Sequence, residues 1–337
     1  MSVATYQPQW IKADFIDFVL TKIDPLLSLH KAKAKVVTQH ALSTDMYQVT
    51  LAPNRKFSRN WQAGQSILLS VQIAGVFHQR SYSIVEITAQ GHIVLGIKAQ
   101  GLVSRYLTTN RSDFVVELSQ AQGDFVLQEG SDTALLIASG SGITAIYAML
   151  KQALQQNMQQ VYVLYFNRTP VYHFAMQQLA DQYPQFNYRY IDTSKQKQHF
   201  DEALLTHFCP DWQSMQSYVC GSSALMSAVK TLYAKYDQSE RLHSEYFQPV
   251  ISTAAEQPIT FRRSQRDFMA TDTVLNSAEK AGLRPNAGCR MGICNTCTCT
   301  KVSGITKNIL TGEIDTEDHR PIKLCVSQAL SPVVIDL

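Results

Sequence analysis

At 337 residues the chain is too long for a single small binding module and has the length of two or three domains. Hydrophobic residues make up 45% and charged residues 17%, enough apolar material for packed cores and too little charge to keep the chain disordered. The net charge of +3, from 30 basic and 27 acidic side chains, is too balanced for binding along a phosphate backbone, so no nucleic acid is expected as a partner.

The N-terminal MSVATYQPQW lacks the basic and apolar regions of a secretory signal, which predicts a cytoplasmic protein. Residues 1–33 read as an amphipathic helical extension, with Ile11, Phe15, Phe18, Val19, Ile23, Leu26 and Leu27 at helical spacing among Asp14, Asp17 and Lys22. Pro25 is expected to kink or restart that helix. Its apolar face would pack on the protein itself or dock on a membrane or a partner. Over 34–130 the pattern changes to short alternating runs at Val36–Val37, Tyr47–Leu51, Ser66–Val71, Ser81–Ile84, Ile93–Lys98 and Phe114–Leu118, which predict a six-stranded antiparallel barrel. Over 131–247 strands alternate with helices, beginning with Ala134–Ala138, a glycine loop and Ile143–Gln156, as in an α/β doubly wound parallel sheet. The longest apolar stretch, Thr133–Leu150, is broken by Ser139-Gly140-Ser141-Gly142, so no membrane span is predicted. Residues 248–258 read as a linker, and 259–337 as a third domain with five of the seven cysteines.

An odd number of cysteines in a cytoplasmic chain argues against a disulfide framework and for metal or redox work. Cys289, Cys294 and Cys297 have the spacing C-x4-C-x2-C, and Cys325 follows, the plant-type pattern in which four thiolates hold a [2Fe-2S] cluster. Gly288 and Gly292 suit a loop whose amides point at the cluster sulfurs, which favours the reduced, more negative state. Asn295 stands where such loops usually carry glycine, and a left-handed conformation would accommodate it. Structural zinc is the alternative, but its sites usually pair two C-x2-C knuckles and only one is present. Cys299 and Cys209 are expected to be buried bystanders.

Arg80-Ser81-Tyr82-Ser83 reads as the close of a barrel strand, with Arg80 and Tyr82 on one face and Ser81 and Ser83 on the other. Taken as plain structure, Arg80 and Tyr82 are a surface strand pair. An R-x-Y-S segment in an antiparallel barrel, followed by a glycine loop on a nucleotide-binding sheet and then by the cysteine pattern, resembles the ferredoxin–NADP reductase superfamily. The likeness covers about 34–337 and is greatest to bacterial three-domain reductases that serve oxygenases and acyl desaturases. It implies a flavin-binding barrel, a nucleotide domain and an α+β β-grasp ferredoxin domain. It also implies that Arg80 pairs with a flavin phosphate, that Tyr82 stacks on the isoalloxazine and that Ser83 hydrogen-bonds near N5. Gly101-Leu102-Val103-Ser104 would cradle the pyrophosphate of FAD at a helix start, with Gly101, Val103 and Ser104 as contacts. Gly140, Gly142 and Thr144 would hold the pyrophosphate of the nicotinamide nucleotide, although the family's usual glycine and proline are here Ser139 and Ala145. Cys220-Gly221 with Met226 resembles the motif whose cysteine lies beside the nicotinamide; a buried structural cysteine is the alternative. Glu245-Tyr246-Phe247 resembles the segment that ends the reductase module, which carries over Phe247.

The second strand of the nucleotide domain ends Tyr165-Phe166-Asn167-Arg168, without an acid for a ribose hydroxyl, and Arg168 suits a 2′-phosphate. NADPH is therefore expected, with NADH as the alternative. A nicotinamide gives up two electrons together and the cluster accepts one, so a flavin must stand between them, with Tyr82, Ser83 and Cys220 nearest the chemistry and no catalytic triad or general base. The acceptor must be another protein. The amphipathic leader favours an acyl desaturase, with this chain peripheral at the cytoplasmic membrane face and Arg262, Arg263 and Arg266 aiding docking; a soluble ring-hydroxylating oxygenase or hydroxylase is the alternative. A redox-sensing flavin and iron–sulfur protein without turnover is the non-enzymatic reading.

Overall fold

The computed structural model describes residues 13–109, 114–195, 198–247 and 256–337, with side chains from residue 16 onward. Trp10 and Ile11 of the expected helix, the side chains of Asp14 and Phe15, and linker residues 248–255 lie outside the described residues. Helix α1 (Ala13–Ile23) ends two residues before Pro25 and is neither kinked nor restarted by it. The helix turns its polar side inward. Asp17 is buried and accepts hydrogen bonds from Leu29 N at 2.6 Å and Ser28 Oγ at 3.0 Å. The buried Lys33 ammonium donates to Thr21 Oγ1 at 2.7 Å and to the carbonyls of Pro25 and Leu27 at 3.1 and 3.2 Å. Phe18, Val19 and Ile23 are left exposed. The reversal follows from Lys33, since a buried ammonium requires acceptors and only the polar face of α1 and its return loop supply them.

The barrel is closed in the order β1-β2-β5-β4-β3-β6, built from β1 (Ala32–Ala41), β2 (Met46–Pro53), β3 (Ser66–Ile73), β4 (Val76–Ile87), β5 (Ile93–Lys98) and β6 (Val115–Leu118). Its interior is aliphatic, with Val49, Leu51, Ile67, Leu69, Ile84 and Leu95 fully buried, and Val103 and Leu107 of helix α2 (Leu102–Thr109) pack on the same core. Arg80-Ser81-Tyr82-Ser83 lies in the middle of β4 and does not close it; the strand runs on through a bulge between Ile84 and Glu86.

Five parallel strands follow in the order β11-β10-β7-β8-β9, namely β7 (Thr133–Ser139), β8 (Gln160–Asn167), β9 (Phe186–Asp192), β10 (Gln216–Gly221) and β11 (Leu242–Tyr246). Helix α3 (Ile143–Gln155) packs on this sheet, and its apolar cluster continues across the domain boundary to Met46, Ala63 and Phe125. The two domains therefore share one core. Close approach fixes their contact: a Cβ on Gly96 of β5 would lie 2.4 Å from Thr144 Cγ2 and 3.2 Å from Tyr172 Oη.

The C-terminal domain is a mixed five-stranded sheet around the helix Val274–Lys280, with a separate core that includes Ile259, Phe261, Leu275, Leu324 and Ile335. Its first strand is Gln257–Phe261, so Gln257 and Pro258 belong to the sheet. Among the described residues no helix is long and apolar enough to cross a membrane.

Gly96→Ala should destabilise the chain by about 1–3 kcal/mol, the usual cost of forcing a methyl into a filled contact. Thermal unfolding should show the loss, and adding Thr144→Ser, which removes the obstructing methyl, should restore part of it; equal stability of Gly96→Ala and the parent would show that the contact yields freely.

Candidate functional site

A cavity of about 450 Å³ opens at the barrel mouth, where all three domains meet. The barrel contributes Arg80, Ser81, Tyr82, Ser83, Gly101, Val103 and Ser104, the nucleotide domain Ser141, Thr144 and Phe247, and the C-terminal domain Cys289, Arg290 and Cys325. Strand alternation separates Arg80 and Tyr82 from Ser81 and Ser83, yet all four border this space. Ser81 Oγ donates to Ser66 Oγ at 2.9 Å, whereas Ser83 Oγ is buried without a partner among the described residues. Arg80 donates from Nη1 to the carbonyl of Gln79 at 2.6 Å and has no carboxylate partner among the described residues. Burial, and then the charge of Arg290, lower its pKa. Burial also raises the Tyr82 phenol well above its ordinary range, so it stays protonated. Three cations, Arg80, Lys98 and Arg290, line the cavity and no carboxylate does. An orphaned hydroxyl and an unpaired guanidinium fit a hydrogen-bonding anionic ligand such as a flavin phosphate.

Ser104 Oγ accepts from Gly101 N at 2.8 Å and Gln100 N at 3.1 Å, so those two amides are occupied and the first turn of α2 holds the ones left for an anion. A Cβ on Gly101 would meet only Ser104 Oγ, at 3.8 Å, and no packing inside the protein requires glycine there.

On the nucleotide domain two glycine loops interlock. A Cβ on Gly142 would fall 2.1 Å from the Cys220 carbonyl oxygen, and one on Gly221 would fall 2.2 Å from Ser139 Oγ. Ser139 Oγ accepts from Ser222 N at 2.7 Å, so this serine ties the 139–144 loop to the Cys220 loop. Gly140 adopts φ +55°, and Thr144 Oγ1 donates to the Ser141 carbonyl at 3.0 Å. Cys220 is wholly buried, and burial, aided by Glu245, pushes its thiol far up. Arg168 is exposed at the end of β8, does not border this cavity, and forms no ion pair among the described residues.

Glu245 was not among the expected site residues. It pairs with Cys220 in the parallel register of β10 and β11, is 9% exposed, and its Oε2 has no partner among the described residues. Burial alone raises its pKa to about 8, so the carboxyl is largely protonated near neutral pH. The polar segment Leu242–Tyr246 gives little strand signal, and burial of its acid depends on packing that no local pattern encodes. Glu245 borders a larger cleft of about 920 Å³ whose lining, drawn from all three domains, includes Tyr246 and Gly292 but none of the residues expected to bind a cofactor or a metal.

The four cysteines converge as their spacing predicts. Cys297 Sγ and Cys325 Sγ are 3.3 Å apart. Cys289 Sγ accepts from the amides of Cys294 at 3.2 Å and Met291 at 3.4 Å, and Cys294 Sγ accepts from Cys289 N at 3.3 Å. Hydrogen bonds from the Cys294 and Cys325 thiols, with the amides, hold Cys289 well below the usual thiol range, and the same shared hydrogen bonds, with burial, push Cys294 and Cys325 up. Among the described residues no three His, Cys, Asp or Glu side chains surround one point as ligands of a single ion would. A Cβ on Gly288 would meet Cys294 Sγ at 2.8 Å and Thr296 Oγ1 at 2.9 Å. The left-handed residues of the loop are Arg290 and Gly292, not Asn295. Cys209 is fully buried against Met215; Cys299 is only partly buried.

A sequence model of the oxidoreductase NAD-binding domain matches residues 136–231, and one of the 2Fe-2S iron-sulfur cluster binding domain matches 259–330, which contains all four cysteines. The chain is an oxidoreductase of the ferredoxin reductase type. It is 27% identical to an NADPH oxidoreductase of Mycobacterium tuberculosis across 95% of this chain and 88% of that one. It is 25% identical to the glycine betaine monooxygenase reductase subunit of Chromohalobacter salexigens, over 82% and 87% of the two chains. The solved structure of phthalate dioxygenase reductase, described as modular for electron transfer from pyridine nucleotides to a 2Fe-2S centre, shares the fold with a TM-score of 0.61 at 20% identity, covering 90% of this chain and 97% of that one. The three-domain reductase architecture expected from the sequence is thus borne out, with NAD(P)H, flavin and a 2Fe-2S cluster as its cofactors.

Glu245→Gln tests the buried acid. A folded-state pKa raised above the unfolded value means that the native chain holds the proton more tightly, so the stabilising contribution is complete in acid and is lost as pH rises toward about 8. Thermal unfolding should therefore show the Gln variant gaining on the parent by up to a few kcal/mol between about pH 5 and pH 8, and no longer above that. A pH-independent difference would place Glu245 in an ordinary, ionised environment.

Proposed function

We propose that this reductase takes a hydride from NADPH onto FAD in the barrel-mouth cavity and passes electrons singly through the Cys289, Cys294, Cys297 and Cys325 site to the oxygenase component of a ring-hydroxylating or related oxygenase system. The observation that carries the reading is that Arg80, Tyr82 and Ser83 border the same cavity as Cys289 and Cys325. A flavin held there lies against two of the four cluster ligands.

When bound, the flavin supplies the exchange between a two-electron hydride and single electrons. The chain supplies binding and orientation. Arg80 holds a phosphate, Tyr82 presents a protonated ring for stacking, and the orphaned Ser83 hydroxyl is free to hydrogen-bond near N5. The first turn of α2, with the amides of Val103 and Ser104 and with Gly101 leaving space beside them, offers a second anion site, which supports FAD with its pyrophosphate. Gly140, Gly142 and Thr144 take the nucleotide pyrophosphate. Cys220, Gly221 and Phe247 shape the nicotinamide end, with the Cys220 thiol neutral. The amides aimed at Cys289 and Cys294 favour a reduced, more negative cluster.

NADPH is supported by Arg168 and by the name of the Mycobacterium relative. An oxygenase partner is supported by the monooxygenase and dioxygenase systems named for the other two. The acyl desaturase at a membrane face rests on α1 and on Arg262, Arg263 and Arg266, the first two of which are ion-paired with Asp336, and the desaturase reading yields to the oxygenase one.

With NADPH, the loaded enzyme should reduce cytochrome c. Serine at any of Cys289, Cys294, Cys297 or Cys325 should abolish that reduction and the cluster's paramagnetic signal while flavin reduction persists, and Cys299→Ser should do neither. Loss of the cluster in Cys299→Ser with retention in Cys297→Ser would overturn the ligand set. A redox sensor without turnover would leave cytochrome c oxidised. A soluble ring-hydroxylating oxygenase should accept electrons faster than membranes containing an acyl desaturase, and the reverse order would restore the desaturase.

Arg168→Ala should raise the KM for NADPH about tenfold or more with little change for NADH, because only the former offers a phosphate to the guanidinium fork. Equal effects on both coenzymes would remove Arg168 from the site.

A further inference from the structure

Arg290 stands between Cys289 and Met291 on the cluster loop, yet its side chain borders the barrel-mouth cavity together with Arg80. Its backbone is left-handed, with φ +61°, a conformation that a residue with a side chain adopts only where its surroundings enforce it. Glu279, on the helix Val274–Lys280, grips the guanidinium at both ends, from Nη1 to Oε2 at 2.6 Å and from Nη2 to Oε1. That pairing uses two of five N–H donors and leaves the others free. The arginine is thus pre-set by its own domain and presented to a cavity built mainly by another.

Charge gives the reason. Arg80 and Arg290 are near enough for one to depress the basicity of the other, and the lining contains no carboxylate. Two half-buried cations facing a shared space repel each other unless an anion lies between them. Lys98, the third cation of the lining, is already paired with Asp45 at 3.4 Å. Arg80 has only its neighbour's carbonyl as a hydrogen-bond acceptor, and Glu279, ion-paired with Arg290, reaches Arg80 only as a weaker, longer-range attraction, so one carboxylate faces two guanidiniums. One anion is missing from this pair.

We propose that Arg290 is a second phosphate-binding residue of the flavin site, so that a bound flavin bridges the barrel and the cluster loop. The inference rests on the flavin reading above and extends it to the ferredoxin domain. By linkage, flavin occupancy and the seating of the cluster loop on the barrel stabilise each other. The flavin then favours the arrangement in which Cys289 and Cys325 border its own cavity.

The test is flavin affinity in the full-length, cluster-loaded chain, followed by flavin fluorescence, with FAD and with riboflavin, which has the ring system and no phosphate. Arg290→Gln should weaken FAD roughly ten- to a hundredfold, as loss of a charge-assisted hydrogen bond does, and leave riboflavin unchanged. Arg290→Lys, which keeps the charge without the fork, should weaken FAD less, and its affinity decides the question if Arg290→Gln fails to load its cluster. FAD affinity equal to the parent in a cluster-loaded variant would overturn the proposal, as would an equal loss for riboflavin, which would mean that the loop had collapsed. A parent chain that binds neither flavin would instead overturn the flavin site itself.

Discussion

The close approach of three backbones around one cavity is the constraint on which the rest of the structure depends, because a hydride donor, a flavin and a cluster can act in sequence only when no side chain holds their supports apart. Each contact has a glycine. Gly96 lets Thr144 reach the barrel, Gly142 lets the loop before α3 lie on the Cys220 carbonyl, Gly221 admits the Ser139 hydroxyl, and Gly288 lets the cluster loop approach Gln79 of β4. Substituting any of these would displace a domain or a loop rather than merely lose a contact.

Electrostatics then divides the labour of the site. The barrel mouth is lined by cations and suits phosphate, while behind β10 a carboxyl and a thiol are held neutral by burial. Desolvation has opposite uses in these places. In the cavity it strengthens the attraction of Arg80 and Arg290 for an anion; on the paired strands β10 and β11 it suppresses charge, so that Glu245 and the Cys220 thiol stay neutral.

What could be read from the sequence is what its chemistry writes locally. The C-x4-C-x2-C spacing, the R-x-Y-S segment and the glycine loop each fit within ten residues, and the structure places Arg80, Tyr82, Ser83, Cys289 and Cys325 on one cavity, although the R-x-Y-S segment lies in mid-strand and not at a strand's close. Glu245, Arg290 and the inversion of α1 were hidden for one physical reason. Each depends on a partner distant in sequence: Cys220 across a parallel pair, Arg80 across a domain boundary, and Lys33 beneath a helix whose apolar spacing points the other way. Periodicity describes which face of a helix is apolar and not which face is buried, and here one buried ammonium outweighs Phe18, Val19 and Ile23.

The three domains are also joined in two different ways. The barrel and the nucleotide domain share one apolar cluster through Met46, Ala63, Phe125 and α3, whereas the ferredoxin domain keeps its own core and meets the others through polar contacts such as Lys230 Nζ to the Leu310 carbonyl at 3.2 Å. The difference matches the transfers each junction serves. A hydride passes only between atoms held in near contact and alignment, which calls for a rigid shared core. A single electron forms no bond between donor and acceptor, so the junction that carries it can be polar and separable. Such a junction still needs something to close it when the flavin is reduced, and a phosphate shared by Arg80 and Arg290 would do so without welding the ferredoxin domain in place, leaving it able to turn its cluster toward the next protein.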